Sequence, residues 1–170
     1  MLRLVAQQVD ASVRDPWTRA YATEIVRGGR PMAVAGGPTE EDQIGRIFWH
    51  VKANIEYLQD TRGYEFIGTA KKTIQIGGGD CDCHTVLIAG LLSSIGFATG
   101  ARVISQNNSD WHIYALCMYD PMYQPNRFIT LDTTQKESTP GWEPPPMMRR
   151  HQIDVTFSKG KAYLTNGREL

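Results

Sequence analysis

An α+β fold is predicted for this 170-residue chain by the order of its patterns. Helical periodicity fills the first half, an almost wholly apolar helix lies in the middle, and short β-branched runs separated by turn residues fill the second half. Helices followed by strands, rather than alternating with them, point to segregated layers and not to a parallel βαβ sheet.

Residues 2–27 carry Leu4, Val5, Val9, Val13, Trp17, Tyr21 and Ile25 at three- and four-residue steps. Asp15-Pro16 divides this region in two, because aspartate caps a helix and proline suits its first position. A Gly/Pro-containing connector is expected over 31–38. Thr39-Glu40-Glu41-Asp42 opens the clearest helix as a variant capping box, and Ile44, Ile47, Phe48, Val51, Ile55 and Leu58 form its apolar face. Gly63 breaks that pattern, and 59–79 is expected to be a long surface loop. The central helix is predicted from about Asp82 to Ile95, apolar nearly all round and therefore buried, with Gly96 as its stop. Strands are expected at 101–105, 112–119 and 128–131. The polar turn Asn107-Asn108-Ser109-Asp110 implies that the first two are antiparallel. Residues 135–150, rich in proline, form a rigid irregular loop. Residues 153–157 and 162–164 form a terminal hairpin around Lys159-Gly160.

Apolar residues make up 41% and charged residues 21% of the chain, the balance of one globular domain with a core. The 18 basic and 18 acidic residues cancel, which argues against nucleic acid as a partner. No apolar run approaches the roughly 20 residues needed to span a bilayer, so no membrane role is expected. The start Met1-Leu2-Arg3-Leu4 lacks the apolar core of a secretory signal, and the expected location is cytoplasmic. Three cysteines make a poor disulfide framework and fit reduced thiols.

Chemistry is concentrated in Gly77-Gly78-Gly79-Asp80-Cys81-Asp82-Cys83-His84. Cys81 stands where a glycine-rich loop turns into the buried helix, near unpaired N–H groups and the positive end of the helix dipole. Both favour the reactive thiolate, although Asp80 and Asp82 partly oppose it. His112, at the mouth of a predicted strand, is the expected base, and Asp132, at the end of the next, would hold its ring. Gln75 is an oxyanion donor candidate or simply a polar loop residue. His84 is a rival base, ranked behind His112 because it lies one turn along the same helix as the thiol. Asp82, Cys83, His84, Trp111 and Trp142 are candidates to flank the cleft, the tryptophans either walling it or merely packing. His50 and His151 are expected at the surface. Cys81, Cys83 and His84 raise zinc, but C-x-C spacing without a second ligand pair departs from structural zinc sites. No metal or other cofactor is expected.

Four segments together resemble the transglutaminase-like superfamily of papain-related thiol enzymes, in particular small bacterial and phage members. They are Ile47-Phe48-Trp49-His50-Val51 leading to Ile55-Glu56-Tyr57; Gly79-Asp80-Cys81-Asp82 with the helix ending Ile95-Gly96-Phe97; His112; and Leu131-Asp132-Thr133-Thr134. The resemblance implies a papain-like core in which the cysteine helix packs on an antiparallel sheet, with Cys81, His112 and Asp132 as a triad. It implies a single domain with a helical extension (1–38), a core (39–134) and a proline-rich loop with a hairpin (135–170). The expected activity is acyl transfer on peptide or carboxamide bonds through a thioester: peptidase, amidase or transglutaminase-type. A protein or peptide is then the substrate. Two features depart from the family pattern: Cys83 replaces a common acidic residue, and Trp111 precedes the histidine where a tryptophan often follows it. Compact members often occur among phage structural genes, so the alternative is a virion or assembly protein that keeps the fold without turnover, with other virion proteins as partners.

Overall fold

The structure, a computed structural model, describes residues 1–28, 38–60, 66–118 and 128–170. The expected 31–38 connector lies almost entirely outside them, as do Gly63 and Tyr119.

Helices α1 (Leu2–Arg14) and α2 (Pro16–Arg27) meet at Asp15, whose carboxylate accepts from Trp17 N at 2.9 Å. The interruption therefore arises from local chemistry, a cap followed by proline. Helix α3 (Glu40–Asn54) starts on the predicted reciprocal box: Thr39 Oγ1 accepts from Asp42 N, and Asp42 Oδ2 accepts from Thr39 N. Ile44, Ile47, Phe48 and Val51 are buried as its apolar face requires. Leu58 does not belong to that face. The helix ends before Ile55, and the chain turns extended into β1 (Glu56–Tyr57), leaving Leu58 exposed.

The expected 59–79 loop contains a helix and a strand. Thr69 caps α4 (Ala70–Ile76), and Gly77 ends it in the left-handed conformation at φ 79°. Strand β2 (Gly78–Gly79) pairs in parallel with β1, Tyr57 opposite Gly79. At seven residues, α4 is too short to show convincing periodicity. Its stability comes from tertiary contacts, among them the donation of Ala70 N to Ser12 Oγ at 2.9 Å. Ser12 is fully buried, and its hydroxyl in turn donates to Gln8 O. Ser12→Ala is expected to cost about 1–3 kcal/mol, because it strands a buried N–H. Urea unfolding should show a lower midpoint at unchanged slope.

Helix α5 (Cys81–Ser94) is buried from Asp82 to Leu92. It closes with a Schellman pair, Phe97 N to Leu92 O and Gly96 N to Ser93 O. Gly90 permits the close approach of α1, since a Cβ there would come within 2.8 Å of Ser12 Cβ. Strands β3 (Thr99–Ser105), β4 (Trp111–Met118), β5 (Phe128–Leu131), β6 (His151–Ser158) and β7 (Lys161–Leu164) form one antiparallel sheet ordered β5-β4-β3-β6-β7. The terminal hairpin is thus the other half of the core sheet, not an appendage.

One sheet face presents Ala101, Val103, Ile113, Ala115, Cys117, Leu131 and Val155 to the two apolar clusters shared with the helices. The proline-rich loop lies against the other. Gly141 N and Trp142 O bond Thr130, and the buried Arg102 guanidinium forks onto Asp154 at 2.7 Å and also reaches Glu143. Cover on both faces explains why β3 is buried throughout.

Candidate active site

Asp80 places the thiol. Its extended backbone and its carboxylate, accepting from Cys83 N at 3.1 Å, cap α5 so that Cys81 is the first helical residue. The sulfur is half-buried, unlike the other two thiols, which are buried. Cys81 packs against the apolar cluster that includes Ile113 of β4, the residue after His112. Burial, followed by the charge of Asp82 and more weakly that of Asp80, pushes the Cys81 thiol up to about 12, against a smaller opposing pull from the nearby Ile113 and Asp82 backbone. This reverses the expectation of a stabilised thiolate. A helix terminus supplies only about half an elementary charge, and here lost solvation and two flanking carboxylates outweigh it. Any ionisation of this sulfur needs a base beside it.

His112 and Asp132 come together from adjacent strands. His112 Nε2 is 2.8 Å from Asp132 Oδ2. A carboxylate can only accept, so Nε2 carries the proton and the neutral ring keeps its lone pair on Nδ1. The His112 side chain is 24% exposed and that of Asp132 is 0% exposed, so the ring is accessible while its anchor is sealed. Burial by itself would raise the Asp132 pKa. The hydrogen bond and charge of His112, with bonds from Thr134 Oγ1 (2.7 Å) and Thr134 N (3.0 Å), overcome it and hold the carboxyl below its usual range.

His84 does not serve as a rival base. Both its ring nitrogens are engaged, Nδ1 with Thr133 Oγ1 at 2.8 Å and Nε2 with Glu56 O at 3.4 Å, and the residue is 2% exposed. Burial lowers its pKa. Cys83 donates its thiol to Phe66 O and is a packed core group. Asp82, buried beside the sulfur, acts on it through charge. Gln75 is not in a loop: it is exposed on α4. Trp111 is 39% exposed next to His112, its ring 6.4 Å from that of His151. Trp142 belongs to the loop on the outer sheet face, through its carbonyl bond to Thr130. His50 is not a plain surface residue, for it is half-buried and bonded to Tyr21 Oη at 2.9 Å.

Two further residues join the site, neither given a role of its own by the sequence, although Tyr57 lies in one of the segments that carry the resemblance. Pairing of β1 with β2 sets Tyr57 beside the start of α5. Its hydroxyl pKa is raised by burial, then by the charges of Cys81, Asp80, Asp132 and Asp82. Lys52 Nζ bonds Gln135 O and Ser138, and burial lowers its pKa against the opposing charges of Asp132 and Glu137. Neither could be found from spacing, because a parallel strand pair and a helix-to-loop contact are both non-local.

Among the described residues, no three His, Cys, Asp or Glu side chains converge in a way that could hold a metal ion, and no helix is long and apolar enough to cross a membrane. A groove of about 740 Å³ lies away from this site, between α2 and α3, lined by Tyr21, Glu24, Trp49 and His50 among others.

The sequence matches no protein-family model, and no curated protein matches it. Its likeness is to solved structures. Legionella pneumophila LapG in its calcium-bound form superposes with a TM-score of 0.61 at 13% identity, over 99% of this chain and 90% of LapG. The EGTA-treated form gives 0.59 at 14% identity, over 100% of this chain and 89% of LapG. A candidate cysteine protease from Cytophaga hutchinsonii gives 0.52 at 16% identity, over 70% of this chain but only 37% of that protein. Nothing in these likenesses bears on a virion role. Helices packed on a five-stranded antiparallel sheet, in the arrangement these proteins share, give this chain the papain-like, transglutaminase-like fold.

Proposed function

We infer that this protein is a cysteine-dependent acyl-transfer enzyme acting on peptide or carboxamide bonds. The observation that carries the reading is the pairing of His112 Nε2 with the sealed carboxylate of Asp132, which leaves Nδ1 as the basic nitrogen on the strand whose Ile113 lies in the apolar cluster that Cys81 packs against. The fold it shares with LapG and with the candidate cysteine protease from Cytophaga hutchinsonii supports the peptidase form of that activity.

Cys81 attacks the carbonyl carbon as its S–H proton passes to His112 Nδ1, forming the C–S bond. Asp132 stabilises the imidazolium so created and fixes the ring's tautomer. The Cys81 backbone N–H, unpaired at the first turn, is available to the developing oxyanion. His112 then returns the proton to the leaving amine as the C–N bond breaks, giving a thioester. Water, or a second amine, attacks that thioester while His112 takes its proton, and the thiol is regenerated. Water gives hydrolysis; an amine gives transfer.

The test uses a complex peptide mixture and a fluorescent primary amine, comparing wild type with Cys81→Ala. New N-termini, deamidated glutamine or incorporated amine, seen by mass spectrometry only with wild type, are expected and tell the three activities apart. Identical products from both proteins would overturn the reading.

A second prediction concerns the resting thiol. Iodoacetamide is expected to label Cys81 ahead of buried Cys83 and Cys117. With a thiol raised to about 12, its labelling rate should climb about tenfold per pH unit between roughly pH 7 and 10. A plateau already at neutral pH would instead show a preformed thiolate–imidazolium pair.

A further inference from the structure

His84 is a polar side chain in the most apolar helix of the protein, and its partners come from two other elements. It stands one turn beyond Cys81 on α5 and is 2% exposed. Glu56 O, on β1, can only accept, so the neutral ring carries its proton on Nε2 and Nδ1 accepts from the Thr133 hydroxyl. Thr133 is joined directly to Asp132. Thr134, the next residue, donates twice to Asp132 Oδ1, while Oδ2 receives His112. One ring therefore ties together the thiol helix, the Tyr57-bearing strand and the segment that holds the carboxylate.

A buried histidine serving only to fill space would be cheaper as an aromatic hydrocarbon, since burying polar atoms costs free energy unless they are bonded. What phenylalanine could not supply is an acceptor at Thr133. Further along the loop the chain is held to α3 by Lys52, through Gln135 O and Ser138. A hydrogen-bonded ring at Thr133 fixes the segment much closer to the carboxylate.

We propose that His84 is a positioning residue: through Thr133 it fixes the Asp132 carboxylate against the cysteine helix, and so sets the orientation of His112. This rests on Cys81, His112 and Asp132 being the working groups, and two separate readouts keep the two ideas apart.

The first readout is nitrogen-15 NMR of His112, which needs no turnover. Wild type should show a ring protonated at Nε2. In His84→Phe, which keeps the ring volume, and in Thr133→Val, which keeps the shape but removes the hydroxyl, the His112 signals should move towards a tautomer average. The double variant should be no worse than either single change, as expected for two groups acting through one bond. The second readout is kcat on a substrate found in the preceding assay. It should fall about 10- to 100-fold in both variants, the size expected of a modest misplacement, with KM changed less than about twofold, and His84→Gln should recover part of the loss. Unchanged His112 signals in a folded Thr133→Val or His84→Phe protein overturn the proposal, whether or not the protein turns over substrate. Shifted His112 signals together with an inactive wild type would retain the positioning role and remove the enzymatic reading instead.

Discussion

Cys81→Ala is expected to reduce turnover by about 10⁴-fold or more while the protein keeps its fold. Loss of a nucleophile removes the covalent route altogether, and what remains comes from binding and oxyanion stabilisation alone. The structural cost is small because Cys81 is only partly buried and the α5 cap depends on Asp80 and the backbone of Cys83, not on the thiol. Alanine also suits a helical first turn at least as well as cysteine. The thermal midpoint should therefore move by no more than a few degrees, and kcat measured alongside a melting curve separates the two effects. Retention of activity within tenfold of wild type would place the chemistry elsewhere.

Asp132→Ala should be the most damaging change at the site, because it acts on activity and on stability together. Three donors converge on this fully sealed carboxylate: His112 Nε2, Thr134 N and Thr134 Oγ1. Removing it leaves them without their acceptor, and the expected cost is about 3 kcal/mol or more. Turnover should fall by about 10⁴-fold, as when the orienting carboxylate of a triad is replaced and the imidazole adopts the wrong tautomer. Asp132→Asn keeps the volume and should spare part of the stability but little of the activity.

The same carboxylate gives a pH signature. Its folded-state pKa is held below the usual carboxylate range, whereas the unfolded chain titrates near the ordinary value of about 3.9. Its contribution to stability is therefore fully present above about pH 4 and is lost as pH falls through the lower folded value. Urea unfolding of wild type between about pH 5 and 2 should show that decline, and Asp132→Ala should lack this part of it.

Most of the architecture could be read from the sequence because its signals are local. A cap acts over two or three residues, as Asp15 and Thr39 do, and Gly96 ends α5 through bonds within the adjoining turn. Helix α4 and the β1–β2 pair were not legible for the opposite reason. Each is too short to show a period, and each is stabilised by contacts distant in sequence, such as Ser12 with Ala70 or Tyr57 alongside Gly79. Treating the terminal hairpin as lying outside the core failed similarly, since its pairing with β3 joins Ala101 to Val155.

The candidate site divides along the same line. Residue types and chain order suffice to put a thiol at the head of a buried helix and a histidine and an aspartate on later strands. Packing alone decides that Asp132 is sealed beneath His112, that His84 is spent on Thr133 and Glu56, and that burial and two flanking carboxylates raise the pKa of the Cys81 thiol. Caps and periodicity act between near neighbours, so the sequence specifies them directly. Desolvation and the charges that set a proton's position come from atoms tens of residues away, and they take effect only when folding brings those atoms together and removes the water between them.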